Sequence, residues 1–497
     1  MASNRLFRKQ PIKLSKKVTY ASKAPPVKTH WFTGVSIGTA IVSSVVAGFY
    51  LSRPGAFPLR PFHAKSSDSG KLQSMLSFQE ACKKLRRNEE SYFVPRGKGV
   101  VRYDIVQVAS NDPIEDDHAE QIVEDVCKAD WSFWGVMDGH GGWTTSKKLS
   151  TSLIPFVARE LSKSYQPNNN SQVVSSIKTA FRQLDEEICQ KSIQKFLSKP
   201  SKTSAAEHLM QAISGSCALL AFYESAESKL RVACTGDSRA LLGRRDAKGS
   251  WQAFQLSNDQ TGSNAEEAER LQREHPGEEK TVVRNGRVLG NLEPTRAFGD
   301  ARYKWTKKMQ AAVLSVFEGA GRRVHPNLYT PPYVTAEPVV TTTDIQDGDF
   351  LVLATDGLWE LLSNQEVADL VGRWKDDAEG RRRASSSWVK DWVTSSTSEK
   401  PFGRDTGQKA PRFQAKRNFV YEDANAATHL VRNALGGGDR DALCALLSIP
   451  APLSRSYRDD LTVTVVFFGK GKQTSTGGIV INKEATNGAR EAVHAKL

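Results

Sequence analysis

The chain has 497 residues and a net charge of +14, from 69 basic and 55 acidic side chains. Eleven of the basic residues fall within residues 1–67, which contain no acid, so 58 basic residues face 55 acidic ones beyond that point and the body of the chain is near neutral. This excludes nucleic acid as the expected partner, because a nucleic-acid-binding domain concentrates positive charge on its folded part. The six cysteines (Cys82, Cys127, Cys189, Cys217, Cys234, Cys444) form no C-x-x-C pair and fit neither a zinc site nor a disulfide framework.

In chain order, residues 1–29 read as a mitochondrial presequence-like leader, acid-free with the early Arg5-Leu6-Phe7-Arg8 pairing of basic and apolar residues. The 24 residues between Lys28 and Arg53 carry no Asp, Glu, Lys or Arg. At about 1.5 Å per residue they reach roughly 36 Å, enough to cross a hydrocarbon core of about 30 Å. A single transmembrane helix is therefore expected at 30–52, with Trp31 and Tyr50 as interfacial anchors and Gly34-x-x-x-Gly38 as a close-packing face. A linker follows at 53–75. The membrane is thus one expected partner, and the location expected is mitochondrial, in the inner membrane, the intermembrane space or the matrix. If the helix stops transfer in the inner membrane, all that follows faces the intermembrane space.

Runs of β-branched and aromatic residues predict strands at 100–108, 131–137, 218–223, 230–233, 251–256, 350–354 and 461–468. Helical spacing predicts long helices at about 144–165 and 171–198, with shorter ones at 263–274, 364–374 and 424–435. Helices come in pairs and do not follow every strand, so the expected fold is α+β with antiparallel sheets covered by helices. The charged, Ser/Thr-rich stretch at about 375–420 reads as an insertion. Residues 471–497 read as a flexible tail ending in Ala495-Lys496-Leu497, which is close to the Ser-Lys-Leu peroxisomal address and makes a peroxisomal import receptor a second expected partner.

Acidic residues recur where apolar runs end. They are Glu115 and Asp116 in SNDPIEDDH, Asp138 in VMDGHGG, Asp237 in CTGDSRA, Asp300 in RAFGD, Asp356 in LVLATDGLWE and Asp459 in SYRDDLTVTVVFF. Taken singly, each reads as a turn residue. Six such stretches in order read as a chain that repeatedly delivers a carboxylate to the rim of a buried sheet, and an all-oxygen nest suits hard cations such as Mg²⁺ or Mn²⁺. Two such ions can bring the pKa of a shared water toward neutrality, so no nucleophilic side chain is required. The glycines around His140 in FWGVMDGHGGW mark a place where groups approach the backbone closely.

The motifs SNDPIED, GVMDGHGG, SGSCALL, ACTGDSRALL, LSNDQTG, PTRAFGDARYKW, PPYVTAEPVV, LVLATDGLWELL and RDDLTVTVV, in this order, resemble the metal-dependent (type 2C) serine/threonine protein phosphatases across about residues 76–470. The wording of SNDPIED, RAFGDARYKW and PPYVTAEP resembles the pyruvate dehydrogenase phosphatase branch of the fungal mitochondrial type. The resemblance implies a four-layer α/β/β/α sandwich with a dinuclear metal site at one end of two mostly antiparallel sheets. It further implies that Asp138 bridges two metal ions and that the Gly139 carbonyl binds one of them. Asp356 and Asp459 would complete the other ion's shell, Glu115 and Asp116 would hold coordinated waters, and Asp237 would take a third, weaker ion. His140 would protonate the leaving oxygen, and the partner would be a phosphoprotein, with phosphorylated pyruvate dehydrogenase E1α as the branch's substrate. Asn111 stands where many relatives place a phosphate-binding arginine, and Gln260 where a histidine is common. The competing expectation is a catalytically silent, membrane-tethered scaffold of the same fold, against which the retained acids argue: clustering like charges is costly and a scaffold does not need it.

Overall fold

The computed structural model describes residues 74–487 apart from 127–128, 168, 318–322, 379, 381–417 and 472–476. The leader, the segment 30–52, most of the linker and the terminal Ala-Lys-Leu lie outside these residues. Among the described residues no helix is long and apolar enough to cross a membrane.

Seventeen strands are formed by the described residues. The first ten are Glu89–Phe93 (β1), Val100–Val108 (β2), Asp117–Val126 (β3), Ala129–Met137 (β4), Gly139–His140 (β5), Gly215–Ser216 (β6), Ala218–Glu224 (β7), Lys229–Thr235 (β8), Arg239–Arg245 (β9) and Trp251–Gln255 (β10). The rest are Val283–Arg284 (β11), Arg287–Val288 (β12), Phe298–Gly299 (β13), Val339–Asp344 (β14), Phe350–Ala354 (β15), Leu461–Phe468 (β16) and Val480–Ile481 (β17). They make a seven-stranded sheet in the order β10-β9-β15-β16-β2-β1-β17 and a five-stranded sheet in the order β14-β8-β7-β4-β3. Every pairing within both is antiparallel.

The pleat sets the layers. Alternate residues of a strand point to opposite faces, and a strand covered on both sides is apolar throughout. β4 sends Trp131 and Phe133 to one side, where they pack with Leu149, Leu153 and Phe181 of the helices Thr144–Ser164 and Asn170–Glu186. Its Trp134 and Val136 go to the other side and meet Ile105, Leu351 and Leu353 of the seven-stranded sheet. Phe350 and Val352 of β15 then face outward, onto Val367 and Leu370 of the helix Asn364–Ala378 and Leu430 of the helix Ala426–Ala434. Three stacked cores thus separate four layers, as the expected α/β/β/α sandwich requires. The central strands β4, β7, β15 and β16 are buried throughout, whereas the edge strands β10 and β14 alternate or are largely open.

Several expectations change. The single helix expected at 171–198 is broken by a π-helical turn at Glu187–Lys191, a rare irregularity that occurs mostly as single turns inside α-helices. Strands β1, β3 and β14 escape a hydropathy pattern because they are rich in acidic residues or threonine. The helix Phe78–Leu85, absent from the expected elements, opens on a Ser77-x-x-Glu80 capping box with both reciprocal hydrogen bonds formed.

The insertion begins later than expected. Residues 375–378 continue the helix Asn364–Ala378, because Trp374 stacks on Phe467 and donates its indole N–H to the Asp423 carbonyl at 2.8 Å. The tail also departs from expectation up to residue 487. β17 pairs with β1, matching Tyr92 to Ile481 and Phe93 to Val480, and the Asn487 amide N–H donates to the Glu89 carbonyl at 3.2 Å. An open strand edge carries unpaired backbone groups, and this segment covers one.

Candidate metal centre

All seven acidic residues stand at strand ends and at one end of the sandwich. Asp138 follows β4, Asp237 lies just beyond β8, Asp300 follows β13, Asp356 lies just beyond β15, Asp459 precedes β16, and Glu115 and Asp116 precede β3. Because β15 and β16 are neighbours in one sheet and the second sheet, with β4 and β8, is stacked on it, these rims meet. One carboxylate oxygen from each of Asp138, Asp237 and Asp356 lies within 4.8 Å of the others. They open onto a cleft of about 630 Å³ that Glu115, His140 and Asp459 also line.

Electrostatics describe the same nest. Burial, and then Asp356, Asp116, Asp237 and Asp459, push the Asp138 carboxyl well above the ordinary carboxylate range. Burial and Asp356 raise Asp459 to about 7 even though the Arg455 guanidinium opposes the shift. A set of hard oxygen donors that cannot share its negative charge without a cation fits Mg²⁺ or Mn²⁺.

Asp116 sits deeper. It is 4 % exposed, and its Oδ2 accepts from the hydroxyls of Thr355 at 2.9 Å and Thr462 at 2.8 Å. Asp237, which the resemblance gives to a third, weaker ion, lies within 4.8 Å of Asp138 and Asp356 through its carboxylate oxygen. Glu115 accepts from the Gly142 amide through Oε1 at 2.6 Å, and its backbone carbonyl accepts from the Ser146 hydroxyl. Gly139 tolerates no side chain: a Cβ there would stand 2.1 Å from the Glu115 carbonyl oxygen.

The three-stranded ribbon β13-β6-β5 positions His140. Its register sets His140 opposite Gly215, and Gly215 opposite Gly299, whose next residue is Asp300. His140 Nε2 and Asp300 Oδ2 are 2.6 Å apart. Burial pulls the imidazole pKa down, but Asp300 and its hydrogen bond outweigh this and hold it above the ordinary value. Asp300 adopts left-handed backbone (φ 47°), a conformation that aspartate reaches more readily than most residues.

The two departures from the resembled pattern have local explanations. Asn111 donates its side-chain amide to Asp460 Oδ2 at 2.9 Å and to Glu115 Oε2 at 3.4 Å, while its backbone N–H reaches Asp460 Oδ1 at 2.9 Å. It staples the Glu115 loop and has no fork to offer an anion. Gln260 accepts from the Gly236 amide at 2.7 Å and donates to the Cys234 carbonyl at 3.1 Å, fixing the turn that carries Asp237. Asp460, which the sequence reading left without a role, is 2 % exposed and also accepts from the Ser110 and Glu115 amides. It holds the 110–115 loop in place, and its charge acts on Asp116, Glu115 and Asp459 of the nest.

The family model described as "Protein phosphatase 2C" matches residues 109–400. The chain is 43% identical over 474 residues to the mitochondrial pyruvate dehydrogenase (acetyl-transferring) phosphatase 1 of Saccharomyces cerevisiae, covering 88% of this chain and 82% of that protein. It is 43% identical over 396 residues to a protein phosphatase 2C homolog of Schizosaccharomyces pombe, covering 78% and 84%. With the human mitochondrial pyruvate dehydrogenase (acetyl-transferring) phosphatase 1 it shares 33% identity over 455 residues, covering 77% and 81%.

Proposed function

The chain belongs to the protein phosphatase 2C family and is a protein serine/threonine phosphatase, and on that premise we propose that it hydrolyses phosphoserine and phosphothreonine with Mg²⁺ or Mn²⁺ bound among its clustered carboxylates. The observation that carries this is the Asp138, Asp237 and Asp356 trio beside the His140–Asp300 pair in one cleft. Two ions would be held by Asp138, the Gly139 carbonyl, Asp356 and Asp459. Glu115 and the deeper Asp116 would act on them through water, and Asp237 would complete a third position. Bound there, such ions supply Lewis acidity that makes water nucleophilic near neutral pH and neutralises phosphoryl oxygens.

The protein's own groups do the rest. Asp300 orients His140 and favours its protonated form, so the ring can give a proton to the serine or threonine oxygen as the ester bond breaks. The glycines at 139 and 215 leave room for these approaches. Phosphate release from a phosphopeptide should require Mg²⁺ or Mn²⁺, stop with chelator and be abolished by Asp138→Asn; activity that survives either treatment overturns the mechanism.

The names of the relatives point to phosphorylated pyruvate dehydrogenase as the substrate and to mitochondria as the location, and the resemblance to that branch adds the E1α subunit as the target. The apolar segment at 30–52 would anchor the enzyme, and Ala495-Lys496-Leu497 would provide a second, peroxisomal address. Fractionation with protease protection, with and without those three residues, tests both: an unchanged distribution removes the peroxisomal address, and a fully soluble protein removes the anchor.

A further inference from the structure

The cleft must bind a phosphate dianion beside a nest of carboxylates, and Asn111 is committed to its loop. Three guanidiniums line the cleft: Arg287, Arg302 and Arg455. Arg287 is held by Glu293 at 2.6 Å and by the Asn291 carbonyl at 3.1 Å. Arg302 donates to the Tyr303 hydroxyl at 2.8 Å and lies over that ring. Arg455 differs. It rides on the short 3-10 turn Leu453–Ser456, its side chain is 49 % exposed, and it forms an ion pair with Asp459 of the nest itself. Asp356 and Asp138 also act on its charge. Its neighbour Arg458 turns the other way and donates to the Ala109 carbonyl at 2.7 Å, so only one arginine of the RSYRDD run faces the cleft.

We infer that Arg455 is the phosphate-binding residue of this enzyme, supplied from the turn before β16 to the cleft that His140 also lines, an inference that rests on the phosphatase activity proposed above. Its planar fork can offer two N–H donors to two phosphate oxygens, which neither Asn111 nor a lysine can reproduce. The ion pair with Asp459 holds the fork between the carboxylates and solvent, where an incoming phosphate arrives.

The test compares wild-type protein with Arg455→Ala and Arg455→Lys, all with saturating Mn²⁺. Inhibition by inorganic phosphate, KM and kcat are measured on p-nitrophenyl phosphate and on a phosphopeptide, and Mn²⁺ binding is measured by calorimetry. For Arg455→Ala the phosphate inhibition constant and KM should both rise about tenfold or more, with Mn²⁺ affinity undiminished; Arg455→Lys should recover part of the loss. An unchanged phosphate inhibition constant in an active Arg455→Ala protein overturns the inference alone, as does loss of Mn²⁺ binding in that variant, which would make Arg455 a support of the metal site. Wild-type protein that releases no phosphate with Mn²⁺ would defeat the phosphatase mechanism itself and this inference with it.

Discussion

His140 and Asp300 are 160 residues apart in the chain, yet Nε2 of one and Oδ2 of the other are 2.6 Å apart. Both flank Gly215, where a Cβ would stand 2.1 Å from His140 Nε2 and 2.3 Å from Asp300 Oδ2. Asp300→Asn should therefore lower kcat about 10- to 100-fold while phosphate inhibition and Mn²⁺ affinity hold. Gly215→Ala should have a similar effect by displacing the pair. Steady-state kinetics with calorimetric metal titration check this, and wild-type kcat in Asp300→Asn would remove Asp300 from the mechanism.

The metal nest should behave as a stability liability until cations arrive. Burying Asp138 among Asp356, Asp116 and Asp237 is costly, so Asp138→Asn should raise the metal-free melting temperature, by about 2–4 °C. Mg²⁺ or Mn²⁺ should stabilise the wild type in proportion to occupancy, and this gain should shrink in the variant. Differential scanning fluorimetry with and without chelator reads both, and a metal-free variant less stable than wild type would contradict the charge argument.

Glu267, on the helix Ala265–Glu274, offers a pH test away from the cleft's carboxylates. Burial alone would raise its carboxyl, but hydrogen bonds from Arg296 and Arg270, at 2.7 Å each, hold it down at about 2. A depressed pKa contributes stability above the unfolded value near 4.3, and that contribution disappears as pH falls toward 2. Glu267→Gln should thus cost on the order of 3 kcal/mol at neutral pH, with the gap to wild type closing between about pH 4.5 and 2. Urea midpoints at pH 7, 4 and 3 measure it; a constant gap would show that the loss is one of packing.

The segment 477–487 should be structural. Ending the chain at Lys470 strips β17 from β1 and removes Ala485, which is 1 % exposed, along with the hydrogen bond from the Asn482 amide to the Ser91 carbonyl. The melting temperature should fall by about 5 °C or more, while the folded fraction keeps its Mn²⁺ dependence. A truncated protein as stable as the full chain would return this segment to the status of a loose tail.

The sequence alone determined the apolar strand cores, the long helix Thr144–Ser164 and the positions of the acids, because apolar periodicity and apolar runs ended by a carboxylate are local signals. The family resemblance supplied the roles proposed for Asp138 and His140. What only the tertiary structure decided is which of these groups meet. The stacking of two sheets places Asp237 with Asp138 and Asp356 and leaves Asp116 more deeply buried, on the hydroxyls of Thr355 and Thr462. A ribbon of two-residue strands joins His140 to Asp300, and a loop staple occupies Asn111 while Arg455 faces the cleft. Such pairings depend on strand register and on contacts between residues far apart in the chain, which no local pattern of side chains encodes.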